Sequence, residues 1–242
     1  MLAVIRGAGD IASAIALRLV RCGASVLMTE IEQPLTVRRT VAFSEAVRMG
    51  KAQVEGVTAV RARDASHALD LLSGEGVVPV LVDPACACVK DVAPDAVVDA
   101  VLAKRNLGTT MDMAPIVVGV GPGFTVGVDC HAVVETMRGH TLGRAYYEGS
   151  ALPNTAVPGL VGGFAGERVL RAPQTGIFLS RHDIGDHVKA GDVVATVEAN
   201  GVSKEIRTVI SGVIRGLLRS GTPVTDRIKV GDVDPRDNTA CH

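Results

Sequence analysis

The chain contains no tryptophan, two tyrosines and four phenylalanines in 242 residues. Proteins that grip single-stranded nucleic acid stack bases on aromatic side chains, and these are too few. An excess of positive charge is also missing. The 25 Lys+Arg face 26 Asp+Glu, giving a net charge of −1. Nothing is left over to neutralise a phosphate backbone, so nucleic acid is not an expected partner. No apolar run approaches the roughly 18–20 residues that span a bilayer. The apolar start at residues 1–5 meets Arg6 and Asp10 at once, which leaves no secretory core. No membrane partner is expected. The five cysteines are odd in number and not spaced as a disulfide framework, so a reducing, cytoplasmic setting is expected.

What is abundant is small and branched aliphatic side chain. Hydrophobic residues make up 47% of the chain, and they are mostly Ala, Val, Leu and Ile. Such a core suits parallel strands covered by helices. Residues 2–6 read as a buried strand, 7–10 as a break, 11–21 as a helix with Ile11, Ile15, Leu19 and Val20 at helical spacing, and 25–28 as a second strand. That is one βαβ-sized unit. Further strands are expected at 57–61, 78–82, 96–100 and 116–120, with helical turns at 44–49 and a helix from an N-cap at Ser66 to Leu72. The alternation predicts an α/β fold: a Rossmann-like, open, mostly parallel sheet over 1–130. Residues 131–137 and 142–147 suggest a hairpin, and the Gly- and Pro-rich 149–166 a linker. Together they form an expected β-rich connector over 131–166.

From Arg168 an internal repeat appears. Gly176, Gly185 and Val188 recur 36 residues later as Gly212, Gly221 and Val224, and Gly191-Asp192 recurs as Gly231-Asp232. Two such half-units, neither able to cover its own apolar face, predict a small all-β sandwich over 167–242.

The run GAGDIA at 7–12 fits G-x-G-x-x-A between a strand and a helix. Gly7 permits the tight turn, and Gly9 lets backbone approach a pyrophosphate. Ala12 lets the helix pack close, and phosphate would rest on the helix N-terminus near Ala8, Gly9, Asp10 and Ile11. Glu30 falls at the end of the next strand, where a carboxylate can hold a ribose hydroxyl; Glu32 competes for that role. Arg38 and Arg39 could admit a 2′-phosphate, or be solvated. In a parallel sheet the loops after the strands share one edge. That edge would also carry Asp83, Cys86, Cys88, Lys104, and a glycine loop at Gly119, Gly121 and Gly123, a second candidate anion site. Cys86 and Cys88 form a C-x-C that could hold a soft metal, a persulfide or a selenium species, against the alternative of small buried thiols. These two and Lys104 are the catalytic candidates. Asp129, His131 and Glu135 carry ligand types and share a face if extended, but a hydrogen-bonded histidine is the preferred reading and no metal site is assigned.

Two resemblances follow. RAP at 171–173 with Gly176, IGD at 184–186 with Val188, and GD at 191–192 with the second half-repeat resemble the barrel-sandwich module of biotinyl and lipoyl domains. Such carriers hold a modified lysine at the hairpin tip. Here the tip reads EANGV at 198–202, with Lys204 two residues beyond, so no covalent biotin or lipoate is expected and docking or homo-oligomerisation is the implied use. Along the whole chain, VIRGAGDIA (4–12), MTEIEQPL (28–35) with VRRT (37–40), KRNLGT (104–109), GPGF (121–124) with GVD (127–129), ET (135–136) with RG (138–139), and KVGDVDPR (229–236) resemble the YqeB-type family, called selenium-dependent molybdenum hydroxylase system proteins. The resemblance implies a bound NAD(P) or related nucleotide and a role in maturing a molybdenum hydroxylase. Partners would be that enzyme or its maturation proteins. It is similar in role to the XdhC-type maturation factors. A docking scaffold with a vestigial site and a free-standing NAD(P)-dependent oxidoreductase are the alternatives.

Overall fold

A computed structural model of the chain describes residues 1–74 and 76–236. They fall into two compact units: Met1–Pro34 with Ala42–Thr155, and Leu35–Val41 with the chain from Ala156 onward.

The first unit runs β1 (Leu2–Arg6), α1 (Asp10–Arg21), β2 (Ser25–Glu30), α2 (Glu45–Met49), β3 (Lys51–Val54), β4 (Val57–Ala62), α3 (Ala65–Leu72), β5 (Val77–Val82), α4 (Val89–Val92), β6 (Ala96–Asp99), β7 (Ile116–Val120), β8 (Ala132–Val134) and β9 (Ala145–Tyr146). These strands form one sheet in the order β3-β4-β5-β2-β1-β6-β7-β8-β9. Every neighbouring pair from β4 to β8 is parallel. The edges β3 and β9 run antiparallel. This is the open, mostly parallel α/β sheet that the aliphatic strands predicted.

Side chains alternate across the pleat. Ile5, Val26, Met28 and Val80 face one core with Ala12, Ala16 and Phe43. Val4, Leu27, Leu81, Val97 and Val117 face the other with Phe124 and Val133. Helix α1 presents Ala12, Ser13, Ala16 and Leu17 inward, and its small residues let it lie close on the sheet.

Three local expectations need correction. Strand β3 was not foreseen; it pairs with β4 through a two-residue turn in which Glu55 and Gly56 both take positive φ, the turn geometry that matches strand twist. The N-cap of α3 is Asp64, whose carboxylate accepts the His67 amide at 2.8 Å, and not Ser66. The segment 131–166 is not one connector. Strand β8 joins β7 in parallel, and β9 closes on it as the foreseen hairpin. The first unit therefore runs past residue 130 to Thr155.

The second unit contains β10 (Val169–Arg171), β11 (Gly176–Ser180), β12 (His187–Val188), β13 (Val193–Ala199), β14 (Val202–Arg207), β15 (Gly212–Leu217), β16 (Thr222–Val224) and β17 (Lys229–Asp234). They form two four-stranded sheets, β10-β17-β15-β12 and β14-β13-β11-β16. Exchanging each strand for the one four places away converts one order into the other. This is the two-fold relation that the 36-residue offset implied; Gly191-Asp192 precede β13 whereas Gly231-Asp232 lie within β17, so that match, 40 residues apart, is not part of it. The halves interlock, because β11 pairs with β16 and β15 with β12. Gly176 and Gly212 occupy equivalent corners for the same reason. A Cβ on Gly176 would stand 2.3 Å from the Glu198 carbonyl oxygen, and one on Gly212 would stand 2.2 Å from that of Asp234.

Candidate functional site

The parallel strands deliver their following loops to one edge. At β1 the chain changes direction across the sheet: β2 lies on one side of it and β6 on the other. Loops diverging at such a point are where open α/β sheets bind ligands. Here the loops after β1 and β6 approach each other closely. Gly7 has a φ of +95°, and a Cβ there would meet the Ala100 carbonyl oxygen at 3.1 Å. Glycine at position 7 is thus required by the turn and by the protein's own backbone.

The Gly7 amide donates to the Thr29 carbonyl at 2.8 Å. The Ala8 amide donates to Glu30 Oε2 at 2.9 Å, and Oε1 accepts the Ile31 amide at 2.8 Å. Burial raises the Glu30 carboxyl above its ordinary range, and the Ile31 and Ala8 amides pull it back without cancelling that rise. Helix α1 then begins after Gly9 with no side-chain cap on its first amides. Asp10 is half-buried and Ile11 is 41% exposed at the loop mouth. The fingerprint glycines, the start of the helix and Glu30 therefore come together as the sequence suggested. Glu32 does not join them; it pairs with Arg61 at 3.1 Å. Arg38 and Arg39 are engaged inside the second unit, with Asp232 at 3.8 Å and Asp183 at 2.6 Å.

The second glycine loop is not an open anion nest. The Gly121 amide donates to the Val134 carbonyl at 2.8 Å. Positions that Cβ atoms would take on Gly121 and Gly123 lie 2.8 Å from the Thr136 hydroxyl and 2.6 Å from the Arg105 Cα. These glycines let neighbouring segments of the same chain approach. Lys104 has positive φ and is exposed, away from any bond to the described residues.

A buried polar cluster that the sequence reading missed holds this edge together. Arg6, the last residue of β1, is 4% exposed. Its Nη1 donates to Asp99 at 3.3 Å and to the Thr109 hydroxyl at 2.9 Å; its Nη2 donates to the carbonyls of Pro84 and Leu107 at 2.9 and 2.8 Å. One planar guanidinium thereby ties β1, β6 and the loops 83–88 and 106–109. A lone arginine inside an apolar strand was the available signal, since buried charge demands partners. Asn106 shapes its loop by accepting the Gly108 and Thr109 amides.

Cys86 and Cys88 lie beneath the same loop, both buried. Cys86 takes a φ of +55°. The Asp83 carboxylate accepts the Cys88 amide at 2.8 Å. The neighbouring Cys88 thiol outweighs burial and holds the Cys86 thiol below its ordinary value. The Thr29 hydroxyl and the Arg6 charge act in the same direction, and Asp83 acts against them. Cys88 is pushed up by the neighbouring Cys86, by burial and by Asp83. The fully buried Thr29 hydroxyl meets no partner in regular hydrogen-bond geometry. The pair is a polarised thiol couple closed off from solvent.

The ligand-type residues of the next segment are structural. His131 Nδ1 accepts the Val117 amide at 3.0 Å. Asp129 accepts from Asn106 and from the Thr125 amide. Burial would raise the Glu135 carboxyl, but the amides of Leu152, Met137 and Thr136 together outweigh it and hold the group low. Among the described residues no group of three or more His, Cys, Asp or Glu is disposed to hold a metal, and no helix is long and apolar enough to cross a membrane. In the second unit the β13–β14 hairpin turns tightly at Asn200 and Gly201, with Lys204 paired to Val197 on the strand and not at the tip.

The fold thus defines an open α/β unit with a polar C-terminal strand edge, followed by a biotinyl/lipoyl-like β unit. Residues 168–233 match the family model described as Biotin-requiring enzyme. Over 239 residues, 99% of this chain, it is 51% identical to "Uncharacterized protein YqeB" of Escherichia coli (strain K12). It spans 43% of that relative, less than half its length. Among solved structures, an aspartoacylase family protein from Mesorhizobium loti aligns over 96% of this chain and 84% of its own, with 15% identity and a TM-score of 0.33. A succinylglutamate desuccinylase from Silicibacter aligns over 96% and 84%, with 12% identity and a TM-score of 0.29. Scores this low carry no functional weight.

Proposed function

We propose that the chain is an accessory protein for maturation of a molybdenum hydroxylase, working in a reducing cytoplasm, and that its Rossmann-like first unit binds NAD(P) or a related dinucleotide at residues 7–11. The observation that carries the nucleotide reading is the meeting of Glu30 with the Gly7 loop at the start of an uncapped helix. Two of the roughly four acceptor sites on the carboxylate are taken by amides, which leaves two for ribose hydroxyls. Phosphate would rest on the first amides of α1. The maturation role rests on the motifs from VIRGAGDIA to KVGDVDPR. Within it, the Cys86–Cys88 couple is the group suited to sulfur or selenium, and the β unit, lacking a tip lysine, serves docking rather than carrying a covalent cofactor.

Thermal unfolding of the full chain with NAD(H), NADP(H) and molybdopterin cytosine dinucleotide tests this. One of them should raise the midpoint, by the equivalent of about 2.7 kcal/mol at a hundredfold excess over its dissociation constant. A Gly9→Val variant should lose the response. Absence of any shift removes the nucleotide. The second reading, a docking scaffold, would then stand; it is favoured by the Ala8 amide being already satisfied and by the contact of Gly7 with the loop after β6. Hydroxylase activity in cells that is unaffected by Cys86→Ser would remove the thiol role.

A further inference from the structure

We infer that the second unit carries a binding site for a phosphate-bearing ligand, in a cavity of about 470 Å³ lined by Arg39, Arg181 and Arg219. Two corners of the β unit meet there, the loop after β11 and the turn after β15, and the segment 35–41 supplies the third wall. Arg39 is held in place. Its Nε donates to the Leu217 carbonyl at 3.1 Å and its Nη2 to Asp183 at 2.6 Å, while the Leu217 amide donates to the Val37 carbonyl at 2.8 Å. Its side chain is 17% exposed, and three of its five N–H groups remain without a partner among the described residues. The Arg181 guanidinium bonds to none of them. The Ser220 hydroxyl oxygen accepts the Ser180 amide at 3.0 Å, which leaves its proton to give.

The acidic residues of the lining are already engaged: Asp183 with Arg39, and Asp186 with the Asp183 amide at 2.9 Å. Arg39 and Arg181 keep N–H groups that these two aspartates do not engage, and Arg219 adds its positive charge to the lining. The cavity therefore holds surplus donors of the forked kind that matches the oxygens of a phosphate. A fixed Arg39 lowers the ordering cost of capture. Free pyrophosphate and the phosphates of a larger molecule share this chemistry.

Amide chemical shifts of the full chain, titrated with pyrophosphate, with ADP and with succinate at low salt, test the site. Pyrophosphate should move the Arg181 and Ser220 resonances with a dissociation constant below about 1 mM. Arg181→Ala should weaken this about tenfold and Arg181→Lys less, because lysine keeps the charge and loses the fork. A stronger response to ADP points to a nucleotide as the source, and an equal one to the phosphate group itself. Either supports the site. Shifts confined to Gly9 and Ile11 would place phosphate in the first unit and overturn the proposal. So would no binding, or succinate binding as tightly as pyrophosphate. The Gly9 and Ile11 resonances report on the first unit separately, so failure of one site does not imply failure of the other.

Discussion

Glu30 Oε2 accepts the Ala8 amide proton at 2.9 Å, joining the end of β2 to the glycine loop after β1. The bond spans 22 residues and locks a loop whose own sequence is permissive. It also places a half-buried carboxyl beside the positive end of α1. Its charge is favoured there by the helix and opposed by burial.

That balance sets a pH dependence. The folded-state pKa of Glu30 is raised, so its contribution is fully present below the unfolded value, about 4.3, and is lost as pH rises through the folded value. Glu30→Gln should remove this slope. Denaturant unfolding of both proteins between pH 4 and 7 checks it. Parallel stability curves for the two would show that the carboxyl is not titrating as described.

Arg6 should be the most sensitive position in the first unit. Its removal leaves Asp99 buried and uncompensated and two carbonyls unpaired. Arg6→Met should cost about 3–5 kcal/mol in urea unfolding. Arg6→Lys should recover part of that, since lysine keeps the charge but cannot reach four partners in one plane. A loss under about 1 kcal/mol would mean that the cluster is dispensable.

The equivalent glycines of the β unit give a paired test. Gly176→Ala and Gly212→Ala each push a Cβ into a carbonyl at 2.3 or 2.2 Å, and each should cost about 1–3 kcal/mol. Both should be damaging, because the corners are related by the pseudo-two-fold, and Gly212→Ala the more so, because φ there is also +155°. At Gly221 the space is open but φ is +85°, so Gly221→Ala should cost only about 1–2 kcal/mol, the left-handed penalty. A tolerated Gly176→Ala beside a damaging Gly212→Ala would break the symmetry argument.

Thiol accessibility should divide the cysteines. Cys22 is exposed, whereas Cys86, Cys88 and Cys130 are buried. Among these four described cysteines, native-state alkylation read by peptide mass spectrometry should modify Cys22 at least about tenfold faster than the buried three. In the closed loop Cys86 should react before Cys88 during native-state openings too small to separate the two, because its thiol is held lower than that of Cys88. Equal rates for both would contradict the polarised couple.

The sequence by itself determined what depends on short range and period. Aliphatic runs bounded by glycine set β1, β5 and β7. The small residues of GAGDIA set the turn into α1, and glycines 36 apart mark a doubled β unit. Asn200-Gly201 carried its hairpin turn within two residues. Tertiary structure alone decided the rest, because those relations join positions with no local signature. Glycines 121 and 123 have the pattern of an anion loop, but Thr136 and Arg105 occupy the space a Cβ would need. Segment 131–166 reads as a connector because a hairpin at 131–147 carries no local sign of the sheet it joins; the pairing of β8 with β7 makes it part of the first unit. Arg6 lies 93 and 103 residues from Asp99 and Thr109, and Arg39 lies 144 from Asp183. Side chains so far apart along the chain meet only after the sheets have formed, and a linear pattern holds no record of a contact that packing creates.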